Sequence, residues 1–163
     1  MRKTIFAVAA IGLLLATACK KTESKNNNNG SAGGTWTFKS VTYQAPGCDT
    51  SSVTIAINAT VPSGGTPATG GQLGVDFYSS YPTTAGSFTV IKGISTLANA
   101  SQTQLGITDL NGVKYISSGS GNSTVSVTVT GGKISITGSE IQLVNLSDTA
   151  DVSNLTFTIH QTN

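Results

Sequence analysis

Residues 35–163 predict an all-β fold: an antiparallel β-sandwich, or alternatively a small β-barrel, of about nine or ten short strands with essentially no helix. Three observations carry this expectation. Apolar and polar residues alternate with a period of two through most of the segment, the pattern of strands with one buried face. Asn111-Gly112 and Gly131-Gly132 sit between alternating runs, where a two-residue hairpin turn needs positive φ. No window places apolar residues at sustained helical spacing.

Taken in chain order, "TWTFKSVTY" changes phase between Phe38 and Val41, which predicts a β-bulge near Lys39 and Ser40. "SVTIAINATV" puts Val53, Ile55, Ile57, Ala59 and Val61 on one face, and "QLGVDFY" does the same with Leu73, Val75 and Phe77. Further strands are expected over 87–91 and 140–144. Asn111-Gly112 predicts a hairpin with Asp109 opposite Lys114 and Ile107 opposite Ile116. Gly131-Gly132 predicts another, with Val129 opposite Ile134 and Val127 opposite Ile136; both pairs fall on the apolar face, so turn and register agree. Leu155, Phe157 and Ile159 define the last strand.

Ahead of this body, "MRKTIFAVAAIGLLLATAC" has the three parts of an export signal: Arg2 and Lys3, an apolar run over 5–15, and small residues before Cys19. The run falls short of the roughly 20 apolar residues that span a bilayer. Ala16-Thr17-Ala18 also fits an ordinary secretory cleavage site, and either reading cuts before Cys19. The next segment, "KKTESKNNNNGSAGG", holds almost nothing to bury and reads as a disordered tether. A cysteine at the far end of a tether is where an anchor belongs. The expected organisation is therefore a signal peptide over 1–18, a lipid-anchored tether over 19–34 and a single domain over 35–163. A linker of that length has an r.m.s. span of about 20 Å, so the body would stay close to a membrane without entering it.

Charged residues make up 10% of the chain, against about 25% in typical soluble proteins. The formal charge of +2 includes the bases of the signal and tether. From Gly30 onward Lys39, Lys92, Lys114 and Lys133 stand against Asp49, Asp76, Asp109, Glu140, Asp148 and Asp151, a net −2. With no cluster of Lys and Arg to neutralise phosphates, nucleic acid is not an expected partner. If Cys19 is lipidated, Cys48 is an odd thiol in an oxidising compartment; the alternative, a Cys19–Cys48 disulfide, would close a loop over the tether.

The sequence also resembles a known group. The cysteine after small residues is similar to a bacterial lipobox, in which the thiol takes a diacylglycerol and the freed amine is usually acylated. Together with the tether, "GTWTF", "YPTTAGSFTV", "YISSGSGNSTVSVTVTGGKISITGS" and "LTFTIH", it resembles the small envelope lipoproteins of Bacteroidota built on β-sandwich domains of unknown function. The resemblance implies anchoring through Cys19 in the outer membrane, with the periplasmic or surface face left open. It implies no catalytic residues.

Residues that could carry chemistry are few. His160 is the sole histidine and lies on the polar face of the last strand, and no G-x-S-x-G, G-x-G-x-x-G, Walker or H-E-x-x-H pattern occurs. "NLSDTADVSN" gathers Asn145, Asp148, Asp151 and Asn154, oxygen donors of the kind calcium takes; a solvated polar connection is the plainer reading. Asp76, Tyr78 and Tyr81 could form a glycan site, since a sugar stacks on an exposed ring while its hydroxyls meet polar groups; alternatively both rings pack. "DTA" is similar to a short Bacteroidota O-glycosylation signal, which would place a sugar on Thr149.

The expectation is a non-enzymatic, lipid-anchored accessory, adhesion or ligand-binding domain without cofactors, partnered by the membrane through its lipid and by a glycan or envelope protein. The alternatives are a glycan-binding module using Tyr78 and Tyr81, and an envelope hydrolase.

Overall fold

The computed structural model describes residues 33–45, 48–50, 53–58 and 71–160. They form eleven strands: β1 (Gly33–Phe38), β2 (Val41–Ala45), β3 (Cys48–Thr50), β4 (Thr54–Asn58), β5 (Gln72–Phe77), β6 (Gly86–Val90), β7 (Gln102–Thr108), β8 (Lys114–Ser117), β9 (Thr124–Thr130), β10 (Lys133–Asn145) and β11 (Val152–His160). The fold is all-β and sandwich-like. Hydrogen-bonded neighbours run β2-β1-β11-β10-β9-β6-β7-β5-β4-β3, and β8 lies between β10 and β7. All pairs are antiparallel except β6 with β7, where Thr89 faces Gln102 and Val90 faces Thr103.

These pairings close on themselves along one side. β10 pairs β9 through its first half and β8 through its last residues, while β7 pairs both β6 and β8. Because β9 also pairs β6, the strands β10, β9, β6, β7 and β8 form a closed circuit. From that circuit two arms extend, β11-β1-β2 and β5-β4-β3, and among the described residues each ends in a free edge. Between the arms lies one apolar core that includes Trp36, Phe38, Ile57, Leu73, Leu143 and Phe157.

The alternating residues fill that core as their spacing implies. Ile55 and Ile57, then Leu73, Val75 and Phe77, then Leu155, Phe157 and Ile159 are all buried. Ala59 and Val61 lie outside the described residues. The Gly131-Gly132 turn has φ values of 59° and 78° and sets Val129 opposite Ile134 and Val127 opposite Ile136, the expected register.

Four expectations are corrected. The phase change at Lys39-Ser40 is a chain reversal, not a bulge: Phe38 faces Val41 across a two-residue turn, with φ of 48° at Lys39 and 63° at Ser40. A turn that tight reverses the alternation just as a bulge would. The hairpin at Asn111-Gly112 is shifted by one residue, so that Thr108 faces Lys114 and Ile107 faces Tyr115. Asp109 causes the shift. Its Oδ1 accepts the N–H groups of Asn111 and Val113, and its carbonyl accepts that of Gly112, which lengthens the loop and buries Tyr115 instead of Ile116.

Third, the strand expected after the Gly131-Gly132 turn and the one expected over 140–144 are one strand, β10, with a bulge. Gly138 faces Phe157 and Ile141 faces Leu155, so Ser139 and Glu140 together oppose Thr156, and Glu140 takes a φ of 51°. Burial moves from Ile134 and Ile136 to Ile141 and Leu143 across it. At the bend Gly138 leaves room for aromatic packing, since a Cβ there would collide with the Phe157 ring and with Ile141. Fourth, Gly33 and Gly34 belong to β1, where they pair with His160 and Ile159, and not to the tether. A Cβ on Gly34 would sit 2.6 Å from the Thr158 carbonyl and 2.9 Å from Ile57 of the opposing arm, so here glycine is a packing requirement.

Two substitutions should therefore act with opposite sign. Ser40→Gly removes a Cβ from a left-handed turn position and is expected to raise stability by about 0.5–1 kcal/mol. Gly138→Ala forces the Phe157 ring to move and should lower stability by about 1–3 kcal/mol. Urea unfolding followed by the fluorescence of Trp36, the sole tryptophan and fully buried, measures both.

Candidate functional site

Two opposite charges, Lys39 and Asp151, meet at the end of the sheet that carries the β1–β2 turn. That turn projects Lys39 toward β8 and the β10–β11 loop, where its Nζ donates to both carboxylate oxygens of Asp151, at 2.7 and 2.8 Å. The same ammonium donates to the Tyr115 hydroxyl at 2.7 Å and lies 4.6 Å from the centre of that ring. Tyr115 in turn donates to Asp151 Oδ2 at 2.8 Å, and Asn145 Nδ2 donates to it at 3.1 Å. Beneath them the Tyr115 ring meets Phe38 edge-on, with centroids 4.7 Å apart.

The loop is shaped to deliver Asp151. Asn145 N–H donates to the Asp151 carbonyl, and Asp151 N–H donates to the Asp148 carbonyl. Asp148 Oδ1 accepts the Ala150 N–H at 3.1 Å, and Asn145 Oδ1 accepts that of Ser147 at 2.8 Å. These local bonds turn the carboxylate of Asp148 to its own loop while Asp151 points at Lys39. Thr149 is exposed at the loop's tip.

Proton affinities follow from the contacts. Asp151 is lowered to about 2, first by the Lys39 hydrogen bond and then by those of Asn145 and Tyr115. Lys39 is raised by its bonds to Asp151 and Tyr115. Near pH 7 one is a carboxylate and the other an ammonium, so neither is poised to exchange a proton. Asn145 and Asp151, two of the four residues considered for calcium, do come together, but Lys39 takes the position at Asp151 that a metal cation would take. With side chains 37% and 28% exposed, the pair is a surface lock.

The other candidate residues are dispersed. Asp76 lies on β5, where its Oδ1 accepts the Thr54 hydroxyl at 2.6 Å and its carbonyl accepts that of Thr103 at 2.8 Å. Tyr78 is 42% exposed, whereas Tyr81 is half-buried against the core, so the two rings do not make one exposed platform. His160 is exposed at the end of β11, with Nδ1 2.6 Å from the hydroxyl of Ser135, its cross-strand partner. Cys48 pairs through its backbone with Ile57, and Cys19 lies outside the described residues.

Two features are not legible as sites in the sequence. The Lys39–Tyr115 contact depends on the turn at Lys39 and on the shifted β7–β8 register, both of which local spacing misassigns. A shallow hollow of about 510 Å³ lies on the outer face at the β10 bulge, lined by hydroxyls that include Ser126, Thr137, Ser139 and Thr158. Its signal is the run of Thr and Ser at every second position, which marks an exposed face without marking a depression.

The chain matches no known family model, no curated protein and no solved structure.

The lock makes stability depend on pH in a defined sense. Asp151 binds its proton more weakly when folded, so its contribution is complete above about pH 4 and is lost as pH falls through about 2. Lys39 binds its proton more tightly when folded, so its contribution is present below its ordinary value of 10.5 and is lost as pH rises beyond it. Tyr43, raised by burial and by the charge of Asp109, adds to the alkaline loss. Asp151→Asn is expected to lower the thermal midpoint at pH 7 and to flatten its fall in acid. Equal midpoints for variant and parent from pH 2 to pH 7 would rule the lock out as a contributor.

Proposed function

We propose that the protein is a lipid-anchored protein of the bacterial cell envelope that presents a β-sandwich as a non-enzymatic accessory, adhesion or ligand-binding domain. The observation that carries this reading is the order of parts: a short apolar run, Cys19 after small residues, a polar segment, and then β1 beginning at Gly33. The resemblance to the small outer-membrane lipoproteins of Bacteroidota supports it. So does the chemistry of the described charged cluster, whose acid and base hold each other in fixed protonation states.

The strand directions add an orientation to this reading. Gly33 pairs with His160 at one end of the sheet, while Phe38 pairs with Leu155 toward the other. Tyr115 faces Asn145, so the turn at 39–40 and the loops 109–113 and 146–151 share the end opposite the one where the tether joins. In an anchored protein those loops, with Leu146 50% exposed among them, face away from the membrane. The partner is then an envelope protein or glycan meeting that end. A glycan site that uses the exposed ring of Tyr78 is the second reading, supported by that exposure alone.

Detergent phase separation tests the anchor. The protein should partition into the detergent phase, its N-terminal peptide should begin at Cys19 with the added mass of a diacylglycerol and an acyl chain, and Cys19→Ser should move it to the aqueous phase. A wholly aqueous protein with an unmodified N-terminal peptide would overturn the reading.

A further inference from the structure

The two edges that end the described sheet are not alike. β3 is three residues long, too short to template much pairing, which is one of the ways in which proteins blunt an edge. β2 has no such protection. Its five residues, Val41 to Ala45, include no charge and no proline, and its pairing with β1 is regular from one end to the other.

Which backbone groups that edge offers is set by the turn. A two-residue turn makes Phe38 and Val41 the pair that exchanges both hydrogen bonds, and such pairs then recur at every second position. Trp36 with Tyr43 and Gly34 with Ala45 are therefore bonded pairs. Thr37 with Thr42 and Thr35 with Gln44 are the non-bonded, closer pairs, and the hydroxyls of Thr37 and Thr42 do approach to 3.2 Å. Thr42 and Gln44 thus direct their N–H and C=O groups away from β1. Both residues are exposed, and no described residue takes up those groups.

We infer that β2 is a self-association edge, on which a second copy of this chain adds its own β2 in antiparallel register. The register is self-complementary. A two-fold axis through Tyr43 sets Thr42 of one copy against Gln44 of the other, and each such pair exchanges both N–H···O bonds because those residues carry the outward groups. A second copy is the occupant that this edge fits without further assumption, since it brings an identical unprotected strand whose free groups have the matching spacing. No charge is carried by either strand to oppose their approach. Joined in this way, the two β2-β1-β11 arms become one continuous sheet with an uncharged Thr/Gln outer surface along the seam. Pairing of this kind needs no lipid anchor.

Sedimentation velocity on the full chain in mild detergent, over about 1–500 µM, tests it. The expected result is a concentration-dependent species with the protein mass of two chains. Thr42→Pro removes an N–H that points away from β1, so it should keep the fold and weaken association at least 10-fold. Gln44→Lys, which places like charges near the seam, should weaken it as well and decides the question if the proline variant misfolds by circular dichroism. Thr35→Lys, one strand inside the edge, should leave association nearly unchanged. A chain that stays monomeric at every concentration, or a dimer that neither edge variant weakens, would overturn the inference.

Discussion

The bend in β10 is the constraint on which the rest of the architecture depends. A sheet strand has two edges, and along one of them β10 pairs with β11 throughout. Along the other it has two partners in succession, β9 up to Gly138 and β8 from Leu143. The extra residue at Ser139-Glu140 lies between them. β9 leads to β6 and β8 leads to β7, which meet again, so the change of partner closes the circuit. Bulges supply the local twist and curvature that closure of a small sheet requires. The cost is local: Glu140 sits at a φ of 51°, a region costing a non-glycine residue roughly 1–2 kcal/mol. Thr156 offers partial compensation, its hydroxyl accepting the Glu140 N–H.

A second constraint acts at the far end of the arm. The β1–β2 turn places two non-glycine residues at positive φ, and Lys39, one of them, is the residue held by Asp151 and Tyr115. The strained turn and the lock are therefore one device, tying the hairpin to β8 and to the β10–β11 loop. It fixes the turn at 39–40, the start of β8 and the loop over 146–151 relative to one another. Along the flank of the same arm, the free edge of β2 offers backbone groups instead of side chains. The two surfaces are chemically different and need not compete.

Most of the strands and about half of the core are legible in the sequence, because burial on one face leaves a two-residue period that neither turn chemistry nor register can hide. What is not legible is the meaning of a phase change. At Phe38 to Val41 it marks a hairpin, and at Gly138 to Ile141 it marks a bulge; the local patterns are alike, and only the partner strands distinguish them. Lys39-Ser40 lacks the Asn-Gly signature of its turn, so its hairpin is concealed. At Asn111-Gly112 the signature is present but the Asp109 side chain lengthens the loop, which moves Tyr115 into the core and into the lock. Of the candidate residues, Asp151 is placed in a cluster, for a reason that spacing alone does not contain: its main partner is 112 residues away in the chain.

The dependence of the closed circuit on the β10 bulge is tested most directly by deleting Glu140 and measuring the thermal midpoint. Deletion makes the β10–β11 pairing regular throughout and removes an unfavourable φ, so a bulge that is merely tolerated would give an unchanged or higher midpoint. If the bend is what allows β9 and β8 to share one strand, straightening β10 separates them. The midpoint should then fall by about 5 °C or more, with loss of the backbone contacts between β8 and β10 in NMR spectra. A variant that melts at or above the parent's temperature with those contacts intact would contradict the account.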